Sequence, residues 1–209
     1  MSVRDIVVFV PLLLMCTPSP ARAAVTAWTT VIVRVYDANG VIAGTNPQAL
    51  DQAHKALDAA SIDVIWRMCP ASASCNAPLA PGELAIRIVR SPLSERPTGN
   101  VSLGDATMER PSGVGVLATI YFDRVMRLAH EAGTDSRVLL GRAIAHELGH
   151  LLLATTTHGP VGLMRAYWSQ EEVRRGQPRD WRFAPTELAA MRRRAEARER
   201  EARLAWGTR

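Results

Sequence analysis

The first long apolar pattern in the chain has a period of two. In TTVIVRVYD, Thr29 to Asp37, β-branched residues dominate and Asn39-Gly40 closes the run, which predicts a buried strand. From Pro47 to Ala60 the spacing becomes helical, with Ala49, Leu50, Ala53 and Leu57 on one face. Ile62 to Trp66 and Leu84 to Val89 predict two further strands, separated by a turn-rich segment that holds Cys69 and Cys75. Ser91 to Arg110 carries Pro and Gly and predicts a loop. VGVLATIYF, Val114 to Phe122, predicts another strand, and Val125 to Ala132 a short helix closed by Gly133. From Ser136 the apolar positions continue through Leu139, Leu140, Ala143 and Ile144 into HELGHLLL, as one helix. Strands early, with helices between and after them, imply an α+β fold class: a mixed, mostly parallel sheet backed by helices, with a further helix at the C-terminus.

The chain of 209 residues begins with Arg4, an apolar run from Ile6 to Met15 and small residues at Ala21 and Ala23. That is the layout of a secretory signal, residues 1–23, cleaved after Ala23. The run is broken at Pro11 and is far shorter than the ~20 residues a membrane span needs, so no stable membrane anchor is expected. Residues 24–209 then form one domain, long enough to bury a core unaided. Cys16 leaves with the signal, and the even pair Cys69 and Cys75 predicts a disulfide in a secreted or periplasmic protein. The net charge of +5 admits nucleic acid or an anionic surface as a partner. Most of the excess lies in MRRRAEAREREAR, Met191 to Arg203, where Arg and Glu mix at helical spacing as on a solvated face. No aromatic residue interleaves there for base stacking, so no nucleic-acid partner is expected; the pattern leaves the oligomeric state open.

Candidate chemistry concentrates between Ala145 and Met164, in AHELGHLLLATTTHGPVGLM. His146 and His150 are four apart on the predicted helix, one turn of about 6 Å, and so offer two imidazole nitrogens to one ion. Glu147 is then close enough to reach a water on that ion without being a ligand, which is the mechanical content of H-E-x-x-H on a helix. For the lone His54 and His130 a core or surface role is the expectation. After Leu153 the β-branched run Thr155 to Thr157 favours extended backbone, and Gly159-Pro160 forms a turn, so His158 can return beneath the helix end as the third ligand. Glu171, or Glu172 beside it, is the alternative third ligand, although acidic residues there also suit an exposed helix start.

HELGH, the downstream His158 and GLM (Gly162 to Met164) resemble the metzincin clan of zinc peptidases, closest in layout to small exported bacterial enzymes of that kind. The resemblance implies zinc held by His146, His150 and His158, and Met164 as an apolar floor under the metal. It also implies hydrolysis of a peptide or protein substrate by a metal-activated water, with Glu147 as general base. A strand ahead of the active helix, here Val116 to Ile120, would either offer an edge to an extended peptide or lie inside the sheet, and Tyr167 or Trp168 would wall the pocket or pack in the core. The pattern departs from the clan at Leu153 and Thr156, where a glycine and the third histidine usually stand, so the turn must be wider by two residues. A gluzincin-type hydrolase using Glu171 and a non-catalytic module that retains the metal are the competing expectations.

Overall fold

The computed structural model describes residues 28–37, 40–42, 47–69, 75–92, 102–109 and 114–207, so the expected signal segment lies outside the described residues. The strands are β1 (Thr29–Asp37), β2 (Ile62–Met68), β3 (Leu84–Val89), β4 (Gly104–Met108) and β5 (Gly115–Tyr121). The helices are α1 (Gln48–Asp58), α2 (Phe122–Ala132), α3 (Ser136–Leu153), α4 (Gln170–Arg175) and α5 (Pro185–Gly207), with a 3-10 turn at Pro178–Trp181. The sheet order is β2-β1-β3-β5-β4. All neighbours are parallel except β4 and β5, which pair antiparallel. The fold is thus α+β with a mixed, mostly parallel sheet, as the strand and helix pattern predicts.

β4 is the element missing from the sequence expectation, which assigned Ser91 to Arg110 to a loop. GDATM is only five residues long, and its ladder is interrupted between Thr107 and Met108. Its presence moves the sheet edge. β5, where Val116 to Ile120 would offer an edge or lie inside the sheet, is an interior strand between β3 and β4, and the edge belongs to β4.

The sheet buries one apolar face: Val33, Val35, Ile86, Ile88, Ala118 and Ile120, which the strand register places on the same side, are all fully buried. α1 uses Ala49, Leu50, Ala53 and Leu57 to pack on α3. The two helix backbones come so close that a Cβ at Gly141 would collide with the Ala49 carbonyl oxygen and the Gln52 side chain. α3 starts at the N-cap Asp135, whose carboxylate accepts from the Arg137 N–H at 2.8 Å. It is buried almost continuously from Leu139 to Leu152 by α1, α2, α5, β4 and β5, as an all-round apolar helix must be. α5 packs against α3 and β1, and its Arg198 donates to the Gly115 carbonyl at 2.7 Å. Cys69 and Cys75 form a disulfide at the end of β2. The Tyr36 hydroxyl donates to the Cys75 carbonyl at 3.0 Å, fastening that loop to β1.

Candidate metal centre

Helix α3 carries His146 and His150 on one face, and their Nε2 atoms lie 3.1 Å apart. The helix ends at Leu153 because Ala154 turns into the left-handed region, φ 48° and ψ 51°, while its N–H still reaches the His150 carbonyl. This is the pivot that the wider turn requires. An alanine supplies it one residue later than the usual glycine position, at the cost of backbone strain that glycine would not carry. The Thr155 carbonyl accepts from His150 Nδ1 at 2.8 Å, and the reversed chain brings His158 Nε2 to 3.2 Å from His150 Nε2. The ligand atoms of the three histidines all lie within 4.8 Å of one another. Glu171, the alternative ligand, is exposed in the first turn of α4 and does not join this cluster. Its neighbour Glu172 closes a capping box with Ser169 and pairs with Arg165 at 2.8 Å; the Ser169 N–H and that arginine hold its carboxyl below the usual range.

The segment after His158 supports the site from below. Gly159 N–H donates to the Met164 carbonyl at 2.8 Å, and Leu163 N–H to the Arg182 carbonyl at 2.8 Å. Gly162 adopts φ 78°, with the Arg182 carbonyl where a Cβ would be, so only glycine fits that turn. Leu163 in turn offers its carbonyl to His146 Nδ1 at 2.8 Å. Met164 is buried against α3 at Gly149, the glycine between the two helical histidines, where a Cβ would lie 2.6 Å from its sulfur.

These contacts fix the chemistry of the nitrogens. A backbone carbonyl only accepts, so Nδ1 carries the proton on both His146 and His150, and each Nε2 presents a lone pair. Two lone pairs facing at 3.1 Å cannot hydrogen-bond to each other. A bridging proton is disfavoured as well, because burial lowers the His146 pKa to about 3 and depresses that of His150. A cation between them satisfies both. Tetrahedral ligands at ~2.0 to 2.1 Å stand about 3.3 Å apart, close to the 3.1 and 3.2 Å that separate His150 Nε2 from those of His146 and His158, so these two pairs suit a metal such as zinc.

Glu147 follows His146 on α3 and lines the same cleft as the three histidines. It is 5% exposed, and its Oε2 has no hydrogen-bond partner among the described residues. β4 passes directly over it: a Cβ at Gly104 would lie 2.8 Å from Glu147 Oε1 and 2.6 Å from the Thr119 carbonyl oxygen. Burial, and then the Asp105 carboxylate, push the Glu147 pKa up to about 8. Asp105 itself accepts from the Tyr121 hydroxyl at 2.8 Å. The histidines and Glu147 open onto a cleft of about 520 Å3. One wall is the start of β4, another the face of α2, and the third runs from Arg165 to Gln170. Gln170 donates to Glu131 at 2.8 Å and ties the last two walls together. Tyr167 is half exposed on the cleft, whereas Trp168 is buried with one face toward it. His54 lies apart, beside Asp58 and Asp63.

No family model matches the sequence, and no curated protein is similar to it at a significant level. Among solved structures, an archaemetzincin (amzA) from Methanopyrus kandleri is similar at 16% identity and a TM-score of 0.49, over 83% of this chain and 99% of that one. A likeness that faint carries no function, so the site rests on its own geometry. Gly104, Asp105 and Arg142 escape the sequence reading because their places depend on β4 and on a tertiary stack. No helix among the described residues is long and apolar enough to cross a membrane.

Proposed function

We propose that the protein is an exported zinc-dependent endopeptidase, with His146, His150 and His158 as metal ligands and Glu147 as general base. The observation that carries this reading is the pair of facing Nε2 lone pairs on His146 and His150, each fixed by a carbonyl behind it, with His158 completing the set beside a buried carboxylate. A zinc ion with one open position supplies carbonyl polarisation and a water acidified toward pKa ~7. The chain's own groups do the rest. Glu147 takes the proton of the attacking water and delivers it to the departing amine nitrogen, so no covalent enzyme intermediate is needed. Its unpartnered Oε2 leaves a lone pair open for that task. Met164 packs against α3 at Gly149, between the two helical histidines. β4, at the sheet edge beside the cleft, offers backbone groups to an extended peptide, which favours a peptide or protein substrate.

Export is supported by the apolar leader and by the disulfide between Cys69 and Cys75. A non-catalytic, metal-retaining module is the second reading. Glu147 argues against it, because a buried carboxylate with no hydrogen bond is costly and a metal scaffold has no use for one. The test is a peptide-hydrolysis screen of wild type and Glu147→Ala with metal content measured in both. The expected result is about one zinc per chain in each and turnover only in wild type. Equal turnover in the two removes Glu147 as the base; metal without turnover in either supports the non-catalytic module.

A further inference from the structure

Behind the metal-binding face, three groups have no part in the chemistry above: Trp168, Trp181 and Arg142. The Trp168 ring meets the His146 imidazole edge to face, with centroids 5.6 Å apart and planes at 86°. Trp181 meets Trp168 in the same way at 5.1 Å. The Arg142 guanidinium lies 3.9 Å from the Trp181 ring centroid and completes the stack. Arg142 stands one helical turn before His146, so the stack leaves α3, crosses two indoles from the following segments and returns to the first histidine of the same helix.

Two features say that the rings are held for their surfaces. Neither indole N–H has an acceptor among the described residues, although both rings are buried. No carboxylate pairs with Arg142 among the described residues, and its guanidinium rests on the Trp181 face instead. An ordinary core would avoid two orphaned donors and a half-buried unpaired cation.

We propose that Trp168 is a positioning residue for the metal centre, clamping the His146 imidazole from its ring side with Trp181 and Arg142 as the backing. His146 is then held at two points, by the Leu163 carbonyl at Nδ1 and by the indole on its ring, whereas the aromatic rings that meet His150 among the described residues are those of His146 and His158. Groups that orient a ligand without touching the metal set its affinity and geometry, and their loss typically weakens metal binding by about 10- to 100-fold. This inference rests on the metal reading of the three histidines, and the experiment separates the two.

The probe is cobalt(II) added to metal-free protein, with the visible d–d bands reporting ligand geometry and a competing chromophoric chelator reporting affinity. Trp168→Leu keeps an apolar group without a ring, and Trp168→Phe keeps a ring. The Leu variant is expected to bind cobalt more than 10-fold more weakly with shifted bands, and the Phe variant to stay within about 3-fold of wild type with unshifted bands. Arg142→Met, at the outer end of the stack, leaves the core filled and is expected to shift the bands by less than Trp168→Leu. Leu and Phe variants that behave alike, or a folded Leu variant with wild-type bands and affinity, overturn the clamp. Should both Trp168 variants fail to fold, an unshifted Arg142→Met spectrum overturns it. Wild type that gives no cobalt spectrum defeats the metal reading itself.

Discussion

Gly104→Ala is a one-methyl change outside the ligand set that tests whether β4 positions Glu147. The added Cβ would lie 2.6 Å from the Thr119 carbonyl oxygen, 2.8 Å from Glu147 Cγ and 2.8 Å from Glu147 Oε1, where ordinary contact begins at 3.4 Å. The strand or the carboxylate must therefore retreat by roughly 0.6 to 0.8 Å, and a displacement of that order in a reacting group costs about 100-fold in rate. Overpacking costs about 1–3 kcal/mol, and the backbone entropy recovered on leaving glycine offsets about 0.5–1 kcal/mol. The net loss of about 1–2 kcal/mol lowers Tm by roughly 4 °C for a domain of this size. Purified wild type and variant are to be compared for kcat/KM on a cleaved peptide, for Tm and for zinc content. The expected variant is slower by about 100-fold, slightly less stable and fully loaded with metal, since no histidine is disturbed. Full activity at unchanged Tm refutes the placement of β4 over Glu147; loss of the metal along with activity refutes the separation of base from ligands.

Ala154→Gly removes left-handed strain worth about 1–2 kcal/mol against about 0.4–1 kcal/mol of extra freedom in the unfolded chain, so Tm should rise by about 2 °C in thermal melts; a fall would mean that the pivot is not strained. In metal-free protein, burial raises the Glu147 pKa from 4.5 to about 8, so its contribution to stability is fully present below pH 4.5 and lost as pH rises through 8. Glu147→Gln should flatten that decline and leave the metal-free variant a few kcal/mol more stable than wild type above pH 8 in urea titrations, whereas parallel pH profiles would show that the carboxyl is solvated. Replacing Cys69 and Cys75 together by Ser opens a closure of sequence separation 6, costs about 2 kcal/mol and lowers Tm without changing metal content, because neither cysteine lines the cleft; loss of metal would contradict that independence.

The helix of H-E-x-x-H was legible because a long, largely apolar and proline-free run from Leu139 through Leu152 is too long for a strand, and helical spacing then fixes His146, Glu147 and His150 relative to one another without any tertiary knowledge. The return of His158 was legible only in outline. Threonines and Gly159-Pro160 announce a turn, but its pivot is an alanine in a left-handed conformation that alanine propensity argues against. β4 was illegible because its five residues include a glycine and an aspartate, both poor strand formers, and pairing with β5 overrides that preference. With β4 went the glycine over Glu147 and the true sheet edge. The capping box of Ser169 and Glu172 was present as S-x-x-E in the chain, and it gives Glu172 its task at the start of α4. The stack of Arg142, Trp181 and Trp168 joins residues of separate elements, and no spacing rule connects them.

The central claim is that three imidazole Nε2 atoms hold one divalent cation. X-ray absorption at the zinc edge of the purified protein measures it directly. Stoichiometric zinc with three imidazole nitrogens at ~2.0 to 2.1 Å and one non-imidazole oxygen ligand is expected, with one imidazole lost in His158→Ala. A spectrum with two imidazoles or fewer in wild type, or one that His158→Ala leaves unchanged, contradicts it.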